Sequence, residues 1–248
     1  MMNKFFDKIF VINLNKNSDR RDYISKLMLE NRIDFEFFEA VDGNKLLDSE
    51  ESYLKFWEEN FLDCNNWKPN RGQIGCWLSH VAIWKKIIKE NIESCLILED
   101  DITLNSPDPN KSFLENFNDY YNELPSDWNI FMPGYCGGQL RAINEKIVQL
   151  YHPACTHAYA LKNSAAEILV KHHWPMRGAL DSFTGHIFFA GNSTDEIKKL
   201  YEQNWHKDRC NYNSLYNPEA DMSLIQNLKG YASSPGLFNQ GASNYSNC

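Results

Sequence analysis

The sequence predicts an α/β fold, and three observations carry the prediction. Residues 8–14, 18–31 and 34–41 read in turn as an apolar strand, an amphipathic helix and a phenylalanine-marked strand, a β-α-β opening. A strongly periodic helix at 71–91 leads straight into a second apolar run at 95–98. That run ends in three consecutive carboxylates, Glu99, Asp100 and Asp101. In open α/β sheets ligands bind outside the carboxyl ends of strands, which is where these acids fall.

The elements follow in chain order. Residues 8–14 are apolar enough for a strand buried on both faces. The turn at 15–18 offers Asn17 or Ser18 as N-cap for a helix whose Ile24, Leu27 and Met28 share one face. Phe35, Phe37 and Phe38 mark the next strand, closed by a turn at Asp42-Gly43. Residues 45–67 are acidic and aromatic, with a helix expected near 50–60. From 71 to 91, Ile74, Trp77, Leu78, Val81, Trp84, Ile87 and Ile88 keep the helical period. After the acidic strand end, 113–124 reads as an amphipathic helix stopped by Pro125. A short strand at 129–132 is expected to end at Pro133-Gly134. Strands at 147–151 and 157–161, a helix at 164–172, helices near 194–203 and 221–228, and a loop at 233–247 complete the reading.

Composition narrows the function. The 248 residues fit one domain, and no linker or internal repeat divides them. A formal charge of −8 speaks against general nucleic-acid binding, which needs a basic footprint. The seven cysteines are odd in number and scattered, without a C-x-x-C pair, so a reducing compartment is expected. No transmembrane run of about 18–20 apolar residues occurs and no signal peptide is evident, which points to the cytoplasm.

Three constellations can carry chemistry. The turn Asn13, Asn15, Asp19, Arg20 and Arg21 places two guanidinium groups near a helix start, where anions are favoured. Gly72, Gly75, Ser79 and His80 lie at the front of the periodic helix, where glycines can leave backbone N–H groups open to an anion. Glu99-Asp100-Asp101 is costly unless a cation neutralises it, and hard cations take oxygen ligands. On a continuing strand, Glu99 and Asp101 would point one way and Asp100 the other.

Taken together and in order, Ile12-Asn13-Leu14, Arg20-Arg21, Ala40-Val41-Asp42-Gly43, the segment from Gly72 to His80 and Leu98-Glu99-Asp100-Asp101 resemble glycosyltransferase family 25. That family includes bacterial lipopolysaccharide galactosyltransferases and collagen galactosyltransferase domains. The segments 128–134 and 156–166, Pro235 to Gln240, and Ser243 extend the resemblance over nearly the whole chain.

The resemblance implies a GT-A-like, Rossmann-like nucleotide-sugar-binding fold, with a mixed central sheet flanked by helices. It implies a UDP-sugar donor, a divalent cation (usually Mn²⁺), and inverting transfer of a hexose, galactose or glucose. The acceptor would be a glycan or a collagen-like hydroxylysine. Asp101 would be the metal ligand, with Glu99 beside it, and Asp100 would hold the donor ribose or a metal-bound water. Asn13, Leu14 and Arg21 would line the nucleotide pocket, with Ser79, His80 and Gln240 near the donor. The general base is open between Asp181 and Asp221, with Asp221 better spaced from Gln240. Either choice implies an insertion atypical of the family within 176–217. His186 or His206 could add a metal ligand, and Trp174, Trp205, Tyr212 and Tyr216 could stack on an acceptor sugar. A degenerate sugar- or nucleotide-binding domain and a metal-dependent nucleotidyl- or phosphotransferase are the alternatives.

Overall fold

The computed structural model describes residues 2–61, 68–137, 140–150, 153–176, 178–181, 183–185 and 228–241. It opens as the sequence predicts. Strand β1 (Lys8–Asn13) feeds helix α1 (Ser18–Glu30), which returns to strand β2 (Glu36–Glu39). Helix α2 (Gly43–Leu46) stands where the sequence suggested a simple turn, capped by the Asp42 carboxylate on the Asn44 amide. Helices α3 (Glu50–Asn60) and α4 (Arg71–Lys89) follow, then strand β3 (Ser94–Glu99).

Strands β1, β2 and β3 are parallel neighbours in the order β2-β1-β3. The side chains of β1 alternate. Ile9 and Val11 pack with Ile24 and Met28 of α1, whereas Phe10 and Ile12 pack with Trp77 and Trp84 of α4. Helices therefore cover both faces, and the chain crosses β1 to reach β3, which opens a crevice between their carboxyl ends. Trp77 and Trp84 are essentially inaccessible, so truncating either to alanine would cost about 3–5 kcal/mol.

The second half is mixed. Strand β4 (Ile102–Leu104), helix α5 (Phe113–Tyr121) and strand β5 (Ile130–Cys136) precede β6 (Leu140–Ala142), β7 (Ile147–Leu150) and β8 (Ala154–Lys162). Helix α6 (Asn163–His172) and strands β9 (Gly230–Ser233) and β10 (Phe238–Gln240) complete the described elements. Strand β8 lies antiparallel between β3 and β5, so its first residues reach the edge where β3 ends.

Two expectations are corrected. Strand β5 does not stop at Pro133-Gly134 but continues to Cys136 through irregular register with β8, an arrangement in which a residue without N–H is tolerated. Glycine is required there, because a Cβ on Gly134 would lie 2.6 Å from His157 Nε2. The closing stretch is not simple loop: β9 joins the main sheet beside β5, and β10 pairs with β4. Its polar sequence hides this, because short strands held by long-range partners carry little periodicity. Among the described residues no helix is long and apolar enough to cross a membrane.

Candidate functional site

A cleft of about 470 Å³ opens at the crevice between β1 and β3. Asn13 and Leu14 at the end of β1, Asn17 to Arg20 at the start of α1, Gly72, Cys76, Ser79 and His80 of α4, and Glu99 and Asp100 contribute to its walls. Asn17 is the N-cap of α1, but its side chain makes no capping hydrogen bond. The first turn of a thirteen-residue helix thus borders the cleft without a side-chain cap, an arrangement suited to an anion.

Helix α4 behaves differently. Its N-terminus is closed by a reciprocal box in which Asn70 Oδ1 accepts from the Gln73 amide and Gln73 Oε1 accepts from the Asn70 amide. Its glycine at 75 serves packing rather than anion binding. A Cβ there would lie 2.5 Å from the Val41 carbonyl oxygen, and one on Gly43 would lie 1.7 Å from that of Arg71. Ser79 Oγ seals the same junction, donating to the Gly75 carbonyl at 2.6 Å and accepting from the Val41 amide at 2.8 Å. Ser79 borders the cleft, with its hydroxyl proton committed to the helix.

Strand β3 ends at Glu99, and Asp100 and Asp101 lie in the following turn. The strict alternation expected of these acids therefore fails: Glu99 and Asp100 both border the cleft. Asp100 is fully engaged. Asn13 Nδ2 donates to its Oδ2 and Arg20 Nη1 to its Oδ1, both at 2.7 Å. Asn13 is thus a buried orienting residue as well as a cleft residue.

Arg20, not Arg21, is the arginine that reaches the cleft. Arg21 stacks over the Phe37 ring at 3.9 Å and donates to Asn13 Oδ1 at 3.3 Å, so it acts through Asn13. Adjacent positions at a helix start lie about 100° apart, and the sequence alone does not say which faces the crevice.

Glu99 is held by a buried chain of polar groups that the sequence did not disclose. Trp84 Nε1 donates to Tyr159 Oη at 2.9 Å, and Tyr159 Oη lies 2.7 Å from His80 Nδ1. Burial keeps the Tyr159 phenol well above its ordinary value, so it stays protonated and can donate to His80. His80 Nε2 faces Glu99 Oε1 at 3.4 Å, and Thr156 Oγ1 donates to the same oxygen at 3.1 Å. Burial alone would raise the Glu99 carboxyl, but His80, His157 and Thr156 outweigh it and hold it below the usual range. A tyrosine and a tryptophan on elements far apart in sequence offered no local signal, because Trp84 and Tyr159 both read as ordinary core.

Asp101 is the opposite case. Its Oδ1 is buried without a hydrogen-bond partner, while Gln240 Nε2 donates to Oδ2 at 3.2 Å. Burial, then the Glu99 charge, raise its carboxyl, opposed by Gln240 and Arg20. Strand β10 brings Gln240 there through its pairing with β4, and the Gly241 amide donates to the Asp101 carbonyl. Of the two candidate bases, Asp181 stands at this edge, accepting from the Cys155 amide at 3.2 Å. Asp221 lies outside the described residues, as do His186, His206, Trp205, Tyr212, Tyr216 and residues 186–217 of the expected insertion. Trp174 is described; it is exposed and packs edge-on to Phe56.

Residues 6–184 match the family model described as glycosyltransferase family 25 (LPS biosynthesis protein). Procollagen galactosyltransferase 2 of Mus musculus is 41% identical over 102 residues, which are 39% of this chain and 16% of that protein. Its Homo sapiens counterpart is 34% identical over 131 residues, 52% of this chain and 21% of that protein. A glycosyltransferase 25 family member of Drosophila melanogaster is 37% identical over 101 residues, 39% of this chain and 16% of that protein. These matches cover only 16–21% of the relatives' own length.

Proposed function

The chain belongs to glycosyltransferase family 25, and from that premise we propose that it transfers a hexose from a UDP-sugar to a hydroxyl, with inversion and with a divalent cation. Galactose and a collagen-like hydroxylysine are the favoured donor sugar and acceptor, because the relatives are named procollagen galactosyltransferases; glucose and a glycan are the other choices. The observation that carries the reading is the Asp101 carboxyl, raised by burial and left with one unpartnered oxygen, in the turn that follows the cleft-lining Glu99 and Asp100.

The residues fit the implied cation. Glu99 and Asp101 would offer carboxylate oxygens to Mn²⁺ or Mg²⁺, and a cation between them would relieve both the unpartnered oxygen and the repulsion that Glu99 exerts on Asp101. When bound, such an ion stabilises the negative charge that gathers on a departing diphosphate.

The chain's own residues supply the rest. The first turn of α1 and the Arg20 guanidinium favour the anionic donor at the cleft. Asn13 and Arg20 fix Asp100 so that it can receive a ribose hydroxyl or water without reorganising. The buried Trp84–Tyr159–His80 chain keeps Glu99 charged and oriented. The acceptor hydroxyl must lose a proton to a carboxylate on the far face of the sugar. Asp181 suits that task by its position beside Cys155 and Thr156, and Asp221 is the other candidate.

The test is UDP release from a panel of UDP-sugars, with and without Mn²⁺. Metal-dependent release from one UDP-hexose, lost in Asp101→Asn, is expected. No UDP binding at all, or release indifferent to metal and to Asp101→Asn, would overturn the reading. Asp181→Asn and Asp221→Asn compared in acceptor transfer assign the base.

A further inference from the structure

Cys136, Cys155 and His157 meet at the same edge of the sheet but outside the all-oxygen site. Strand β5 ends at Cys136, whose register partner is Ala154 at the start of β8, and the next residue, Cys155, has a left-handed φ of 67° that takes it off the regular strand alternation. Each of the three residues offers one ligand atom within 4.8 Å of the others. A tetrahedral zinc site places sulfur and nitrogen ligands about 3.5–3.8 Å apart, so small side-chain adjustments suffice.

The second observation concerns the imidazole. His157 is 1% exposed, and its Nε2 lies 3.2 Å from the Phe238 carbonyl oxygen, to which it must donate. In the neutral imidazole, the form that binds a metal, the lone pair then sits on Nδ1, and Nδ1 is buried without any hydrogen-bond partner. A buried nitrogen of this kind is costly unless something accepts its lone pair. A carbonyl that fixes the tautomer from behind is the usual second partner of a metal-bound histidine. Both cysteines are partly exposed and free, so ions can reach them. Burial, and then Cys136, push the Cys155 thiol up, so without a cation Cys155 stays protonated.

We propose that Cys136, Cys155 and His157 form a thiolate–imidazole site for a soft divalent cation, zinc in particular, distinct from the all-oxygen site at Glu99 and Asp101. Binding releases the two thiol protons to solvent and forms two metal–sulfur bonds and one metal–nitrogen bond. The fourth position is left to water or a nearby carboxylate. Thr156, between the ligands Cys155 and His157, donates to Glu99. The site thereby pins the end of β8 that holds Glu99 in place. It does not depend on the proposed sugar transfer.

The full chain, stripped of metal by chelator and kept reduced with a phosphine, is titrated with Co²⁺. One equivalent is expected to give a near-ultraviolet thiolate-to-cobalt charge-transfer band and strong visible bands of tetrahedral coordination, both displaced by Zn²⁺. Cys136→Ser and Cys155→Ser each abolish the charge-transfer band, and Cys76→Ser leaves it intact. Circular dichroism of the metal-free variants guards against misfolding. In the unmutated chain, one equivalent of Zn²⁺ slows alkylation of Cys136 and Cys155 at least about tenfold, mapped by mass spectrometry, and His157→Gln weakens that protection by about tenfold or more. No charge-transfer band in the unmutated chain, a band that survives both serine variants, or alkylation rates indifferent to Zn²⁺ would overturn the proposal.

Discussion

The two carboxylates that follow β3 stand one residue apart and are treated in opposite ways. On the β1 side, Asp100 has both oxygens satisfied, by Asn13 and by Arg20. On the β10 side, Asp101 keeps a buried oxygen without a partner and a carboxyl raised by burial and by Glu99. The first wall is completed by the protein itself and holds its shape without ligand. The second is incomplete in electrostatic terms, which the proposed cation would relieve. On the proposed reading the preorganised side would face the donor and the side with the unpartnered oxygen would take the cation.

The strongest challenge to this contrast is to exchange the two charges for amides. Asp101→Asn is expected to lower metal-dependent UDP release by at least about 100-fold while leaving the melting temperature of the metal-free chain equal or higher. Asp100→Asn should do the reverse in stability, costing about 3 kcal/mol in a denaturant melt because Arg20 loses its buried partner. If both substitutions destabilise equally, the contrast between the walls is wrong.

The arginine pair sharpens the β1 wall. Arg20→Ala should raise the KM for the donor by about tenfold or more, and Arg21→Ala by only about two- to threefold, since Arg21 reaches the cleft through Asn13. Gln240→Ala probes the β10 wall. It removes one donor from Asp101 and should shift the Mn²⁺ midpoint of UDP release upward by only a few-fold.

The smallest effect is one of pH. A carboxyl raised in the folded state binds its proton more tightly there than in the unfolded chain, so its contribution to stability is favourable at low pH. That contribution is lost as pH climbs from the ordinary aspartate value through the raised one. The melting temperature of metal-free Asp101→Asn, relative to the unmutated chain, should therefore rise with pH across that window and then level off. Saturating Mn²⁺ should remove the trend. A flat difference would show that Asp101 is not strained in the metal-free protein.

Legibility followed the range of the interactions. Helix α3 (Glu50–Asn60) begins and ends where its acidic, amphipathic segment predicted, because its capping box and spacing are local. Strands β4, β9 and β10 went unread, because each is three or four residues long and is stabilised by a partner distant in sequence, and β6 went unread because it is a three-residue strand at the sheet edge beside β7. The acidic triplet was legible as a site, whereas the roles within it were not. The alternation rule ended with the strand at Glu99, and the following turn decided which acid meets Arg20 and which meets Gln240.

By itself, then, the sequence determined the α/β class, the β-α-β opening, the acidic end of β3 and its membership in an ordered family pattern. Periodicity, capping and a short motif are properties of neighbouring residues, and neighbours are what a sequence displays. The tertiary structure alone decided that Arg20 rather than Arg21 enters the cleft and that the Gly75 and Ser79 segment is a packing joint. It alone decided that Trp84, Tyr159 and His80 support Glu99. Those outcomes depend on strand order and helix rotation, which bring residues up to about 80 positions apart within hydrogen-bond distance.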